Sequence, residues 1–277
     1  MKISYDPIMN LQFLKLGGSL ITDKRTARTP RKEVIARLTT EIESVRAANL
    51  DLKLLLGHGS GSYGHVPAKK YGTRQGVVSS EQWQGFAEVW YEAATLNRIV
   101  METLHAAGLP AISFPASAGV TAKDGKVAVW NLAPLSAALE GGLLPVVFGD
   151  VVFDIARGGT ILSTEDIFTH LARQLCPMRI LLAGIDAGVW ADFPACTQLI
   201  PEITPENWDT VAASLSGSAA TDVTGGMQSK VRAMLDLAIA IPGLEISIFS
   251  GEQPGNLAAA LQGESLGTRI ISNRRER

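Results

Sequence analysis

The chain has 277 residues, 46% hydrophobic and 19% charged, enough to bury one large α/β core or two lobes. Its 25 Lys and Arg against 27 Asp and Glu leave a formal net charge of −2, so no basic field exists to draw in nucleic acid or an anionic membrane. No run of eighteen apolar residues occurs, and residues 1–10 carry Lys2, Asp6 and Pro7 without an apolar stretch of signal-peptide type; a cytoplasmic protein is expected. Cys176 and Cys196 lack C-x-x-C spacing and form no metal-ligand pattern with the histidines, which predicts free, partly buried thiols.

In chain order, Leu11–Leu16 is a short apolar strand broken by Gly17-Gly18-Ser19 and followed by Leu20-Ile21-Thr22-Asp23-Lys24. Residues 30–49 have helical periodicity through Val34, Ile35, Leu38, Ile42 and Val45, with Pro30 where a first turn tolerates it. A strand at 52–56 then runs into Gly57-His58-Gly59-Ser60-Gly61-Ser62-Tyr63-Gly64-His65, a glycine loop whose bare amides can approach an anion. Strand, helix, strand in this order is a parallel crossover, so both glycine turns are expected at one carboxyl edge of the sheet, where open α/β sheets bind ligands.

Residues 80–107 read as a long helix capped by Ser80 and ended by Gly108, with Phe86, Val89, Ala93, Leu96, Val100 and Leu104 on one face. A strand at 109–114 precedes a hairpin, Val120–Lys123 and Lys126–Trp130 about Asp124-Gly125. A helix at 132–140 leads to the buried strand Leu144–Phe148 and Gly149-Asp150, and strands 151–154 and 160–162 make a second hairpin. Helix 164–174, strand 178–183, a strand near 188–190, helix 205–215, a Thr-Gly-Gly turn at 224–226, helix 227–239, strand 245–249, helix 255–261 and a last strand about 269–272 complete the alternation. The simplest fold is a three-layer α/β/α sandwich with a mainly parallel central sheet.

Gly59, Gly61 and Gly64 satisfy G-x-G-x-x-G, but the loop follows the second strand and no acidic residue closes a following strand, so a dinucleotide fold is not supported. The Walker pattern and the protein-kinase motifs are absent too. A phosphate site of another kind remains, with Lys15, Lys24 and Lys230 each beside a glycine turn. Phosphoryl transfer asks the protein to position two anions and neutralise charge. Like charges about 4 Å apart repel by ~4 kcal/mol at an effective dielectric of 20, so one lysine would not suffice.

These residues carry a resemblance. Leu14-Lys15-Leu16-Gly17-Gly18-Ser19 with Ile21-Thr22-Asp23-Lys24, the loop ending Ser62-Tyr63-Gly64-His65, Gly149-Asp150-Val151-Val152-Phe153-Asp154, and Asp222-Val223-Thr224-Gly225-Gly226-Met227 with Lys230 resemble the isopentenyl phosphate kinases of the amino acid kinase superfamily. The resemblance runs from about residue 11 to 272 and implies transfer of the ATP γ-phosphate to isopentenyl phosphate, with Mg²⁺ held mainly by the phosphates and no protein metal site. It also implies a homodimer, and one kinase domain with an acceptor-binding lobe at about 1–177 and a nucleotide-binding lobe at about 178–277.

By the same resemblance, Lys15, Gly17, Gly18 and Ser19 line the ATP phosphates and Lys24 stabilises the transition state. Gly61 lies where the two phosphates meet, and Ser60, His65 and Thr164 border the acceptor. Asp166 orients the active-site lysines, and Asp186, Gly226 and Lys230 contact nucleotide. Two departures stand out: Ser60 replaces a glycine of H-G-G-G, and Thr164-Glu165-Asp166 replaces G-D-D.

A phosphomonoester, with a second pKa of about 6, is mostly dianionic at neutral pH and needs no general base, so His65 is expected to donate a hydrogen bond. His58, His105 and His170 read as structural. Other readings stay open: Asp166 as a first-turn helix acid, and Trp83, Phe86 and Trp90 as a wall for an isoprenoid tail or as a core or dimer stripe. So do a kinase for another phosphate or phosphonate such as fosfomycin, a carboxylate kinase, and a non-catalytic nucleotide sensor.

Overall fold

The computed structural model describes residues 8–23, 25–215 and 226–272. Its first half comprises β1 (Leu11–Leu16), α1 (Gly18–Ile21), α2 (Lys32–Ala48), β2 (Lys53–His58), α3 (Gly61–Tyr71), α4 (Ser80–Ala106), β3 (Ala111–Ser113), α5 (Ala116–Gly119), β4 (Val120–Lys123), β5 (Lys126–Trp130), α6 (Ala133–Glu140) and β6 (Leu144–Phe148). There follow β7 (Asp150–Asp154), β8 (Gly158–Leu162), α7 (Thr164–Leu175), β9 (Arg179–Gly184), β10 (Val189–Trp190), β11 (Leu199–Ile200), β12 (Glu202–Ile203), α8 (Trp208–Leu215), α9 (Gly226–Ala240), β13 (Glu245–Ser250), α10 (Asn256–Leu261) and β14 (Thr268–Ile270).

Eight strands form one sheet in the order β12-β14-β13-β9-β1-β2-β6-β3, parallel throughout except where β14 runs against β13. Alternate residues of a strand face opposite sides. Accordingly Leu11 and Phe13 join a core under α6, α7, α8 and α9, and Leu14 and Leu16 join another under α2, α4 and α10. This is the expected three-layer sandwich, with β1 near its centre. A second sheet, β5-β4-β7-β8, is built from chain on either side of β6, and its Val151 packs with Val77, Phe86 and Val89 against α4.

Several boundaries differ from expectation for local reasons. The cap of α4 is Ser79, not Ser80: its hydroxyl accepts from the Gln82 amide and the Gln82 side chain accepts from the Ser79 amide, a reciprocal capping box. His58 ends β2, and α3 starts at Gly61, so the glycine loop shrinks to Gly59-Ser60. Strands β11 and β12 have two residues each, too few to leave a periodic signal. Both cysteines are free as expected, but Cys176 is exposed rather than partly buried, because it sits in the left-handed position that ends α7.

Candidate active site

The parallel register sets the carboxyl ends of the central strands in a row: Phe148 beside His58, His58 beside Leu16, Leu16 beside Ala183, and Gly184 beside Ser250. The two glycine turns leave this row from adjacent strands. Gly17 stays tied to the sheet by its amide to the Ala183 carbonyl at 2.8 Å, and Gly59 by its amide to the Leu16 carbonyl at 3.0 Å. From there the turns press together backbone to backbone. A side chain on Gly18 would put its Cβ 2.5 Å from the Gly61 nitrogen. Gly61 itself has φ +50, and a Cβ there would lie 2.1 Å from Thr22 Oγ1. That hydroxyl rivets the contact, donating to the Gly18 carbonyl at 2.7 Å and accepting from the Ser62 amide at 2.9 Å.

The third wall is the N-terminus of α7, a natural site for negative charge. Thr164 is buried and its hydroxyl donates to the His58 carbonyl at 2.7 Å, which pins the helix start to the end of β2. One residue on, Glu165 forms an ion pair with Lys15, and both side chains are largely covered, 20% and 15% exposed. Burial pushes the Glu165 carboxyl up, but the charge and hydrogen bond of Lys15 and the charge of Lys230 outweigh it and hold it below the usual carboxylate range. Lys15, Glu165 and Lys230 therefore form one electrostatic group.

Asp166, expected to orient the lysines, does something else. Its Oδ2 accepts from the Ser163 amide and hydroxyl, both at 2.8 Å, and from Arg74 Nη2 at 3.0 Å. Ser163 caps α7 and Asp166 is its N3 partner, so the first-turn reading of Asp166 is the one realised and Glu165 touches the lysine instead. Ser163-x-x-Asp166 was the signal that could have told them apart.

His65 lies on the exposed side of α3, one turn beyond Gly61, and Ser60 occupies the N-cap position without capping through its side chain. Ser19 is half-buried in α1, and Asp186 is exposed in the turn after Gly184, whose carbonyl accepts from the Gly251 amide at 2.8 Å. Gly226 starts α9 in a left-handed conformation, φ +69. Lys24 and residues 224–225 fall outside the described residues. The edge thus gathers the turns at 17–18 and 59–61, Lys15, Thr164 and Lys230, with Asp166 turned away to Arg74.

His58 is fully buried, stacked on Phe148 with ring centroids 5.3 Å apart, and its ring nitrogens lie 3.1 Å from the Gly59 carbonyl and 3.2 Å from Asn97 Oδ1. Burial lowers its pKa, so it is a neutral strut behind the loop. Trp83 and Phe86, 5.2 Å apart, pack on Phe153 with centroids at 5.9 and 5.3 Å, while Trp90 remains 45% exposed, so the aromatic stripe is divided between core and surface.

Backbone amides and lysines converging at the edge of a parallel sheet, without a Walker loop, define a phosphoryl-transfer fold, and a family model described as "Amino acid kinase family" matches residues 10–250. The chain belongs to that family. Within it, the chain is 34% identical over 268 residues to the isopentenyl phosphate kinase of Methanothermobacter thermautotrophicus, covering 93% of this chain and 97% of the relative. It is 35% identical over 263 residues to the isopentenyl phosphate kinase of Haloferax volcanii, covering 95% and 99%. A solved structure described as "X-ray structures of isopentenyl phosphate kinase" superposes with a TM-score of 0.79 at 30% identity, covering 94% of this chain and all of that one.

Proposed function

We propose that this protein is a kinase that moves the γ-phosphoryl group of ATP onto isopentenyl phosphate, giving isopentenyl diphosphate and ADP. The observation that carries the reading is the backbone contact between the Gly18 and Gly61 turns beside the Lys15–Glu165 pair, in a chain whose full-length relatives bear this activity in their names. An acceptor phosphate oxygen attacks the γ-phosphorus in line, the bond to the β–γ bridging oxygen breaks, and no proton need be removed from a dianionic acceptor.

Each residue then has a defined task. The Gly17, Gly18 and Ser19 turn cradles the donor phosphates, and Gly61, Ser60 and Thr164 border the acceptor. Lys15 and Lys230 neutralise the migrating group, with Glu165 rather than Asp166 fixing their places. Lys24 supplies a further cation, His65 donates to the acceptor phosphate, and Asp186 and Gly226 meet the nucleotide.

Among the described residues no group of three or more His, Cys, Asp or Glu could hold a metal. Mg²⁺ enters this reading with ATP, held by its phosphates, and would screen their charge. No helix of the described residues is long and apolar enough to cross a membrane. The exposed Trp83, Trp90 and Tyr91 on α4 accord with a homodimer, testable as twice the 29.5 kDa chain mass in light scattering.

The deciding experiment is ADP release with isopentenyl phosphate, fosfomycin and glutamate as acceptors against an ATP-only blank. Turnover on isopentenyl phosphate alone is expected, and the blank rate with all three rejects the proposal. His65→Ala is expected to raise KM for isopentenyl phosphate at least tenfold while KM for ATP changes less than twofold.

A further inference from the structure

Helix α4 turns Asn97 inward, 8% exposed, and its side-chain amide meets His58 behind the glycine turn. The fully buried imidazole lies flat against Phe148, ring planes 7° apart, which fixes where its two nitrogens can reach. Nδ1 is 3.1 Å from the Gly59 carbonyl, and Nε2 is 3.2 Å from the near end of the Asn97 amide, whose far end is 3.0 Å from Ser113 Oγ.

The order of protons follows from counting donors. Burial keeps the ring neutral, reinforced by the charge of Lys15 on the neighbouring strand and only partly opposed by the ring's two hydrogen bonds. A neutral imidazole has one N–H, and the Gly59 carbonyl can only accept. A bond to Gly59 therefore puts the proton on Nδ1 and leaves Nε2 as an acceptor. Asn97 satisfies Nε2 by presenting its NH₂ there and its oxygen to the Ser113 hydroxyl; the two ends of an amide have nearly the same shape, so half a turn of the group keeps its heavy atoms in place. The opposite order would leave Nδ1 and the Gly59 oxygen, two acceptors, in direct contact at a fully buried residue, where an unmade bond is most costly.

In a trans peptide the carbonyl and the N–H that follows it point opposite ways. A Gly59 carbonyl drawn onto the imidazole therefore turns the Ser60 N–H away from it. The Ser60 and Gly61 amides open α3, and neither has an acceptor among the described residues. We infer that Ser113 and Asn97 hold His58 as its Nδ1–H tautomer, and that this chain of three hydrogen bonds sets the Gly59–Ser60 peptide so that the amides of the turn are presented to phosphate. His58, Asn97 and Ser113 are positioning residues in this scheme. Their effect on rate rests on the kinase reading above, whereas the tautomer does not.

The test joins the tautomer to the rate. With the four histidines ring-labelled with ¹⁵N, two-bond proton–nitrogen correlation at about pH 7.5 is expected to show the His58 proton on Nδ1, the signal being assigned by its loss in His58→Asn. Asn97→Asp, which can only accept, is expected to place a proton on Nε2. In kinetics His58→Leu, which removes the donor to Gly59, is expected to lower kcat at least tenfold with KM for ATP within twofold. His58→Asn, whose amide nitrogen stands near the place of Nδ1, is expected to recover at least a third of the parental kcat. A parental proton on Nε2 or on both nitrogens overturns the proposal, as does a kcat within twofold of the parent in His58→Leu or a loss in His58→Asn equal to that in His58→Leu. Should His58→Leu not fold, the parental spectrum and a loss above tenfold in folded His58→Asn decide the matter. If the parent turns over no isopentenyl phosphate, the functional reading falls separately, and the spectra alone decide the order of protons.

Discussion

Glu165 and Asp166 are neighbours with different work, and the difference is one of angle. Successive helical residues point about 100° apart, so in the first turn of α7 one acid faces Lys15 and the next folds back on Ser163. Neutralising the first removes the partner of Lys15, which in the proposed reaction holds that cation at the migrating phosphate; Glu165→Gln is expected to cut kcat about 100-fold in steady-state kinetics, with Glu165→Asp less damaging. Asp166→Asn is expected to leave kcat within threefold and to cost about 1 kcal/mol in urea unfolding, as loss of half a capping box does. The reverse ranking would restore Asp166 to the lysines. The sequence held the two lysines and the acids but not the assignment between them, because adjacent acids at a helix start look alike until the capping hydroxyl upstream is taken into account.

Elements were legible in proportion to their periodicity. The hairpin β4–β5 lies where Asp124-Gly125 predicts it, and β1 and β6 have their expected bounds, since apolar runs cut by glycine leave little freedom. Helix α3 was hidden, because Gly61, Gly64 and Pro67 all argue against a helix and only its packing beside α4 secures it. Its entry through Gly61 can be tested: Gly18→Ala and Gly61→Ala each force apart two backbones already in contact, and each is expected to lower kcat/KM more than 100-fold. Either variant retaining a tenth of parental activity would mean the turns can slide. Ser79→Ala removes the hydroxyl that accepts the Gln82 amide and is expected to cost about 1 kcal/mol of stability without changing KM for either substrate.

At the scale of the whole molecule, a buried and a half-buried histidine tie stability to pH. His58 and His170 both have pKa values lowered by burial, so between those values and about 6.5 the unfolded chain binds more protons than the native one. Stability is therefore complete above about pH 6.5 and lost as pH falls below it, by at most ~1.4 kcal/mol per pH unit for each histidine. Urea midpoints are expected to fall from pH 7 to 5 and the slope to flatten in His58→Gln; a level profile in the parent would contradict this. The sheet order was not readable from the strands alone, since nothing local tells β9 to pair with β1 across 160 residues of intervening chain; only burial on both faces of β1 requires a neighbour on each side.

The rivet between the Gly18 and Gly61 peptides has a consequence for how such a catalyst can change. In the proposed reaction the gap separating donor from recipient is gauged by main-chain atoms in contact, and the one side-chain atom that enters that measurement is the Thr22 hydroxyl that pins them. Walls farther out can therefore be recut to admit a bulkier or smaller molecule while the spacing at the point of reaction stays constant.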